Sequence, residues 1–193
     1  MKSNSLFFGI CIFSLCFSFY STTSFGQYFI TSFDFRSTRW RMSKEDVKES
    51  ETLELIEEFK LDSKLSRSFG TSEAITYTGK IRGRKVLLIY VFNNNKLVRT
   101  LQCFTEQYKD KTTFIDEYNK HELELTEKYG LPIENGKLQL GETEKHNRVD
   151  LLNADNLSLY SVWEDQSTRI DLLLNNKANT DKIVLMISYV SKD

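Results

Sequence analysis

The sequence predicts an α+β fold: an antiparallel sheet of two three-strand meanders, with helices packed on one face. Three observations carry this. Period-two alternation begins at Glu73 and returns in the strand from Thr168 to Leu174. A stretch opening at Thr112 or Thr113 repeats apolar residues at helical spacing. The second turn of each strand block is Asn-rich and ends in Lys, as Asn93-Asn94-Asn95-Lys96 and Asn175-Asn176-Lys177. Short turns make sequential strands pair antiparallel, so the helices must cover one face of the sheet. The two blocks read as a weak repeat of a helix plus three strands, with chance similarity between meanders as the alternative.

Residues 1–26 have the layout of a secretory signal peptide, with one early charge at Lys2 and an apolar run from Leu6 to Tyr20. The run is short for a membrane span, which needs about 20 apolar residues. Ser24 and Gly26 place the cut after Gly26, leaving Gln27 first and residues 27–193 as a single domain. An uncleaved anchor is the competing reading. Lipidation at Cys16 is a second alternative, although Phe13-Ser14-Leu15 before it lacks a lipobox's small residue.

Gln27 to Phe35 reads as a first strand, rich in aromatic and β-branched residues. Ser43 is an expected N-cap, with Asp46 in the reciprocal position of a capping box. A short helix follows from Lys44 to about Ser50. Leu53 to Leu61 fits either a helix or an alternating strand. In the next strand Ile75, Tyr77 and Ile81 share one face. Arg82-Gly83 turns the chain into Val86 to Phe92, which is apolar on both faces and therefore central. Asn93-Asn94-Asn95 turns it again into Leu97 to Phe104, because Asn tolerates left-handed backbone.

The long helix carries Phe114, Tyr118, His121, Leu125 and Tyr129 on one stripe. Gly130 ends it and Pro132 prevents a restart. Glu134 to about Asp155 reads as a polar loop. Three strands close the chain, at about Leu157–Glu164, Thr168–Leu174 and Lys182–Val190. The middle one alternates, with only Leu173 out of step.

The formal net charge is −1, which gives no global attraction to nucleic acid or anionic lipid. Basic residues gather locally at Arg36, Arg39, Arg41 and Lys44, and at Lys80, Arg82, Arg84 and Lys85. Solvated charge around a hairpin turn is the simplest account of the second group. Past the signal only Cys103 remains, in an apolar strand pattern that favours a buried, inert thiol.

No catalytic, metal or cofactor motif is complete. His121-Glu122-Leu123-Glu124-Leu125 begins like a zinc-protease helix, but Leu125 stands where the second His ligand belongs. His121 also lies within the apolar stripe, as a hydrogen-bonded core histidine would. His146, with Glu142, Glu144 or Asp150, is the remaining place for a hydrolytic or metal site. Gly70-Thr71-Ser72-Glu73-Ala74 lacks the second glycine of a nucleophile elbow. Tyr28, Phe29, Phe33, Phe35 and Trp40 form either an aromatic binding surface or ordinary core.

The string Trp40-Arg41-Met42-Ser43-Lys44-Glu45-Asp46-Val47 resembles the W-G-M-S/T-x-x-x-V opening of a set of small exported bacterial proteins. It is similar in pattern to the openings of the β-lactamase inhibitory protein repeat and of the SmpA/OmlA outer-membrane lipoprotein domain. Lys128-Tyr129-Gly130-Leu131-Pro132 resembles the first group's helix end, and Trp163 with Thr168-Arg169-Ile170 its strand pair. The resemblance implies a strand-to-helix turn before antiparallel strands, with Met42 and Val47 packing the short helix and Ser43 capping it. Trp40, Met42, Ser43, Val47, Gly130, Pro132 and Trp163 are then the fold-defining positions. Arg41 replaces the usual Gly, and paired Cys are absent.

The expectation is an exported, periplasmic or secreted module, monomeric, without cofactor or transmembrane segment once the signal is cleaved. It binds another envelope or secreted protein through a sheet face and does not bind nucleic acid. The reading leans against an enzyme, and a secreted hydrolase with a site near His146 is the alternative.

Overall fold

The computed structural model describes residues 34–60, 73–139, 157–176 and 182–193. The expected signal peptide, Cys16, most of the strand expected over Gln27–Phe35, and His146 with its neighbouring acids lie outside the described residues. The domain is α+β and mostly sheet.

Helix α1 spans Lys44–Ser50. Ser43 caps it as the spacing predicts: its Oγ accepts the Asp46 amide, and the Asp46 carboxylate accepts the Ser43 amide. Four strands follow, β1 Glu54–Lys60, β2 Glu73–Ile81, β3 Arg84–Asn93 and β4 Lys96–Phe104. Helix α2, Thr112–Tyr129, leads into β5 Glu134–Gln139, β6 Leu157–Glu164, β7 Thr168–Asn176 and β8 Ile183–Ser191. All pairings are antiparallel, in the order β1-β2-β3-β4-β8-β7-β6-β5. Each half is thus a helix followed by a meander, and the halves meet where β4 pairs with β8.

The expected three-strand meanders each have a fourth strand, at the sheet's two edges. β1 comes from the segment that fitted helix or strand equally well. An edge strand needs little apolar alternation, and β1 is almost wholly exposed. β5 comes from the segment expected to be a loop. Its Asn135-Gly136 pair looks like a turn signal, but here the glycine answers a packing demand. A Cβ at Gly136 would meet the Tyr160 ring and hydroxyl at 2.8–2.9 Å.

The turns follow local chemistry. Arg82 and Gly83 have φ of 49° and 81°, and Asn94 and Asn95 have 49° and 58°, as two-residue hairpin turns require. Arg41 has φ 70°, a left-handed conformation that glycine enters without a Cβ clash.

One face of the sheet carries the core. Val47 of α1 and Phe114, Ile115, Tyr118 and Leu125 of α2 pack there with Leu88, Tyr90, Phe92, Leu172 and Trp163 in a single cluster. Two hydrogen bonds between Leu97 and the Arg41-Met42 backbone fix the entry to α1 on β4. The other half is tied in by Trp40, whose indole N–H donates to Thr168 at 2.8 Å.

Candidate functional site

Successive residues of a strand point to opposite faces, so the sheet has a second face, away from the helices. The pairings place three rows of residues across it. The first is Leu87–Cys103–Met186–Leu173–Tyr160, one residue from each of five adjacent strands. Next to it runs Ile89–Leu101–Ser188–Asp171–Val162. The third is Val91–Arg99–Val190–Arg169–Glu164. Leu87, Ile89, Leu101, Met186, Leu173 and Val190 are half-buried, whereas Val91, Val162 and Ser188 of the same rows are buried, so this apolar surface is less closed than the core face but not fully open.

A concavity of about 430 Å3 lies on this face where the two halves meet, lined in part by Arg99 and Leu101 of β4, Met186 of β8, Leu173 of β7 and Tyr160 of β6. Charge is concentrated at its edge. The Arg169 Nε donates to Asp171 at 2.9 Å, and the Arg169 Nη1 lies 3.6 Å from Glu164. Burial pushes the Arg99 guanidinium below its ordinary pKa, while nearby Asp171 pulls it back up. The Tyr160 hydroxyl, donating to Glu134, holds its proton above the usual range. An apolar strip with a guanidinium and a carboxylate beside it offers shape, apolar area and a charge register, which is the chemistry of recognition.

Cys103 sits in the middle of the first row, half-buried, and burial pushes its thiol pKa up. A thiol held in that form is a poor nucleophile. Among the described residues, no group of three or more His, Cys, Asp or Glu side chains is arranged to hold a metal ion. No helix among them is long and apolar enough to cross a membrane.

The structure joins several positions singled out in the sequence. Gly130 is the C-cap of α2 at φ 85°, and its carbonyl accepts the Trp163 indole N–H at 3.0 Å. Met42 packs partly buried against the core, Val47 is fully buried within it, and Pro132 is half-buried. Met42, Val47 and Trp163 thus belong to the core on the sheet's covered side. Phe35 and Trp40 are buried, so they belong to the core rather than to an aromatic surface. His121 is buried too, with Nδ1 3.4 Å from the Glu124 carboxylate.

Sequence reasoning did not assemble the open face, although two signals pointed to it. Val86–Phe92 is apolar on both faces, and the sequence Ile183–Val190 is largely so too, which a sheet covered on one side does not demand. Leu173, the single residue out of step with its strand's alternation, stands in the first row.

Comparison with family models, with curated proteins and with solved structures finds no match to this chain. The functional reading therefore rests on the geometry of its own sheet.

Proposed function

We propose that this chain is an exported, non-catalytic module that binds another envelope or secreted protein on the open face of its sheet. The observation that carries the reading is the five-strand apolar row with Arg99, Arg169 and Asp171 beside it. Monomeric proteins rarely expose a contiguous apolar patch without a use. The partner supplies aliphatic or aromatic side chains to the Leu87–Cys103–Met186–Leu173 row and a carboxylate to Arg99. In this reading the signal peptide is cleaved after Gly26 and the module acts as a monomer.

The test uses the mature chain to isolate a cross-linked partner from the exported protein fraction, followed by affinity measurement with both components purified. Leu101→Glu combined with Leu173→Glu places two charges on the face. That pair should weaken binding about 30-fold or more, the scale of a hot-spot loss. Leu123→Glu, on the exposed side of α2 (59 % exposed), should leave affinity unchanged. Equal binding by the double variant, with its thermal midpoint intact, would remove the open face as the interface.

A further inference from the structure

The covered face of the sheet is not covered evenly. Helix α2 lies over β6, β7 and β8, and a cleft of about 620 Å3 opens beside it. Its apolar lining includes Phe104 of β4, Tyr189 of β8 and Leu125 of α2. Its rim is basic, with Lys80, Arg82 and Arg84 from the β2–β3 hairpin, Lys120 and Lys128 from α2, and Arg36.

Most of the rim cations are already engaged. Arg36 is paired with Glu51, Arg82 with Glu124, and Arg84 with Glu117 and Glu106. Lys128 lies over the Tyr129 ring, 4.6 Å from its centroid. Lys80 and Lys120 have no ion pair among the described residues. The carboxylates facing the cleft are Glu124, already shared by Arg82 and His121, and Asp34. Asp34 accepts hydrogen bonds from the Trp40 amide and the Ser167 hydroxyl, each at 2.9 Å. The rim therefore has unmatched positive charge.

Rim lysines alone would be ordinary solvated charge. The second observation is His121, which lines the same cleft and is 8 % exposed. Its ring stacks on Phe104 with centroids 4.4 Å apart. Nδ1 faces the Glu124 carboxylate, and Nε2 is buried with no hydrogen-bond partner. Burial pushes the ring's pKa down, opposed by Glu124. A neutral ring with its proton on Nδ1 leaves Nε2 as an acceptor without a donor. Buried polar atoms are nearly always satisfied, so this one calls for a donor from outside the described chain.

We propose that this cleft binds a small hydroxylated organic anion. A carboxylate or phosphate sits at Lys80 and Lys120, a hydroxyl donates to the His121 Nε2, and the carbon skeleton lies on Phe104 and Tyr189. Sugar acids and sugar phosphates have that chemistry, and the cleft has the volume of small-molecule sites. This site is on the opposite side of the sheet from the proposed protein interface and stands or falls independently of it.

The experiment is calorimetric titration of the mature chain with glucuronate, glucose 6-phosphate, glucose and inorganic phosphate, with the His121 ring nitrogens followed by NMR. At least one anionic sugar should bind saturably with a Kd of about 1 mM or tighter, shifting the Nε2 resonance, while glucose should not. Which of the two binds decides between carboxylate and phosphate. Lys80→Glu with Lys120→Glu, both exposed and safe for folding, should weaken that binding at least about 10-fold. His121→Phe, which keeps the stack on Phe104, should weaken it by a similar factor. Lack of saturation by both sugars, unchanged affinity in either variant, or inorganic phosphate binding as tightly as the sugars would overturn the proposal.

Discussion

Trp163→Ala is expected to destabilise the domain by about 3–5 kcal/mol, the range for removing a large buried aromatic. The side chain is 0 % exposed and lies on the covered face opposite Ile170 of β7. Truncation leaves a void that β6, fixed by its pairings to β5 and β7, has little freedom to fill. It also removes the donor to the Gly130 carbonyl at the end of α2, so helix and sheet lose a tie together. Trp163→Phe separates the two effects. It keeps most of the apolar area and should cost about 1–3 kcal/mol, mainly for the unpaired carbonyl and the smaller volume. Urea unfolding of residues 27–193 measures both. A loss below about 1 kcal/mol for the Ala variant would mean that this side of the core is not packed as described.

The second large effect is expected at Glu51, whose side chain is 0 % exposed yet charged. It accepts from the Arg36 Nη2 and Nε, at 3.0 and 3.2 Å, and from the Tyr90 hydroxyl at 2.7 Å. The Thr52 and Leu53 amides donate to it as well, which satisfies backbone groups just beyond the end of α1. Glu51→Ala strands all five donors and is expected to cost about 3–5 kcal/mol, as breaking buried ion pairs generally does. Tyr90→Phe removes one donor and should cost about 1–2 kcal/mol.

The pH dependence has a definite sign. Burial raises the Glu51 pKa, but the Tyr90 hydroxyl, the Leu53 amide and Arg36 together outweigh it and hold the carboxyl below its ordinary value. A depressed carboxyl pKa adds stability that is complete above the unfolded value of about 4.3 and is lost as pH falls through the folded value. The difference in stability between the native chain and Glu51→Gln should therefore be constant from neutral pH to about 5 and shrink below about 4. A difference that persists unchanged at pH 3 would rule out an ionised Glu51 as the source.

Much of the fold was legible because its elements are locally consistent. The α2 stripe, the Ser43 cap, the Arg82-Gly83 turn and the Asn-rich turn each follow from short-range chemistry, and the structure places them accordingly. The edge strands were not legible. β1 earns its place through backbone pairing with β2, which leaves little trace in side-chain pattern. β5 was obscured by Gly136, whose reason for being glycine is Tyr160, a residue distant in sequence. The two candidate sites were hidden for the same reason. Leu87, Cys103, Met186, Leu173 and Tyr160 become neighbours only through strand register, and His121 looked like plain core until its Nε2 proved to lack a partner.

The most direct test of the open-face account is site-specific photo-cross-linking in cells that make the protein. A photoreactive residue is placed at Leu101, in the middle of the open face, and in a separate variant at Leu123, on the outer side of α2. The account predicts one discrete protein adduct from position 101, abolished by Leu173→Glu, and none from position 123. Adducts from 123 alone, the same adducts from both positions, or none from either would contradict it.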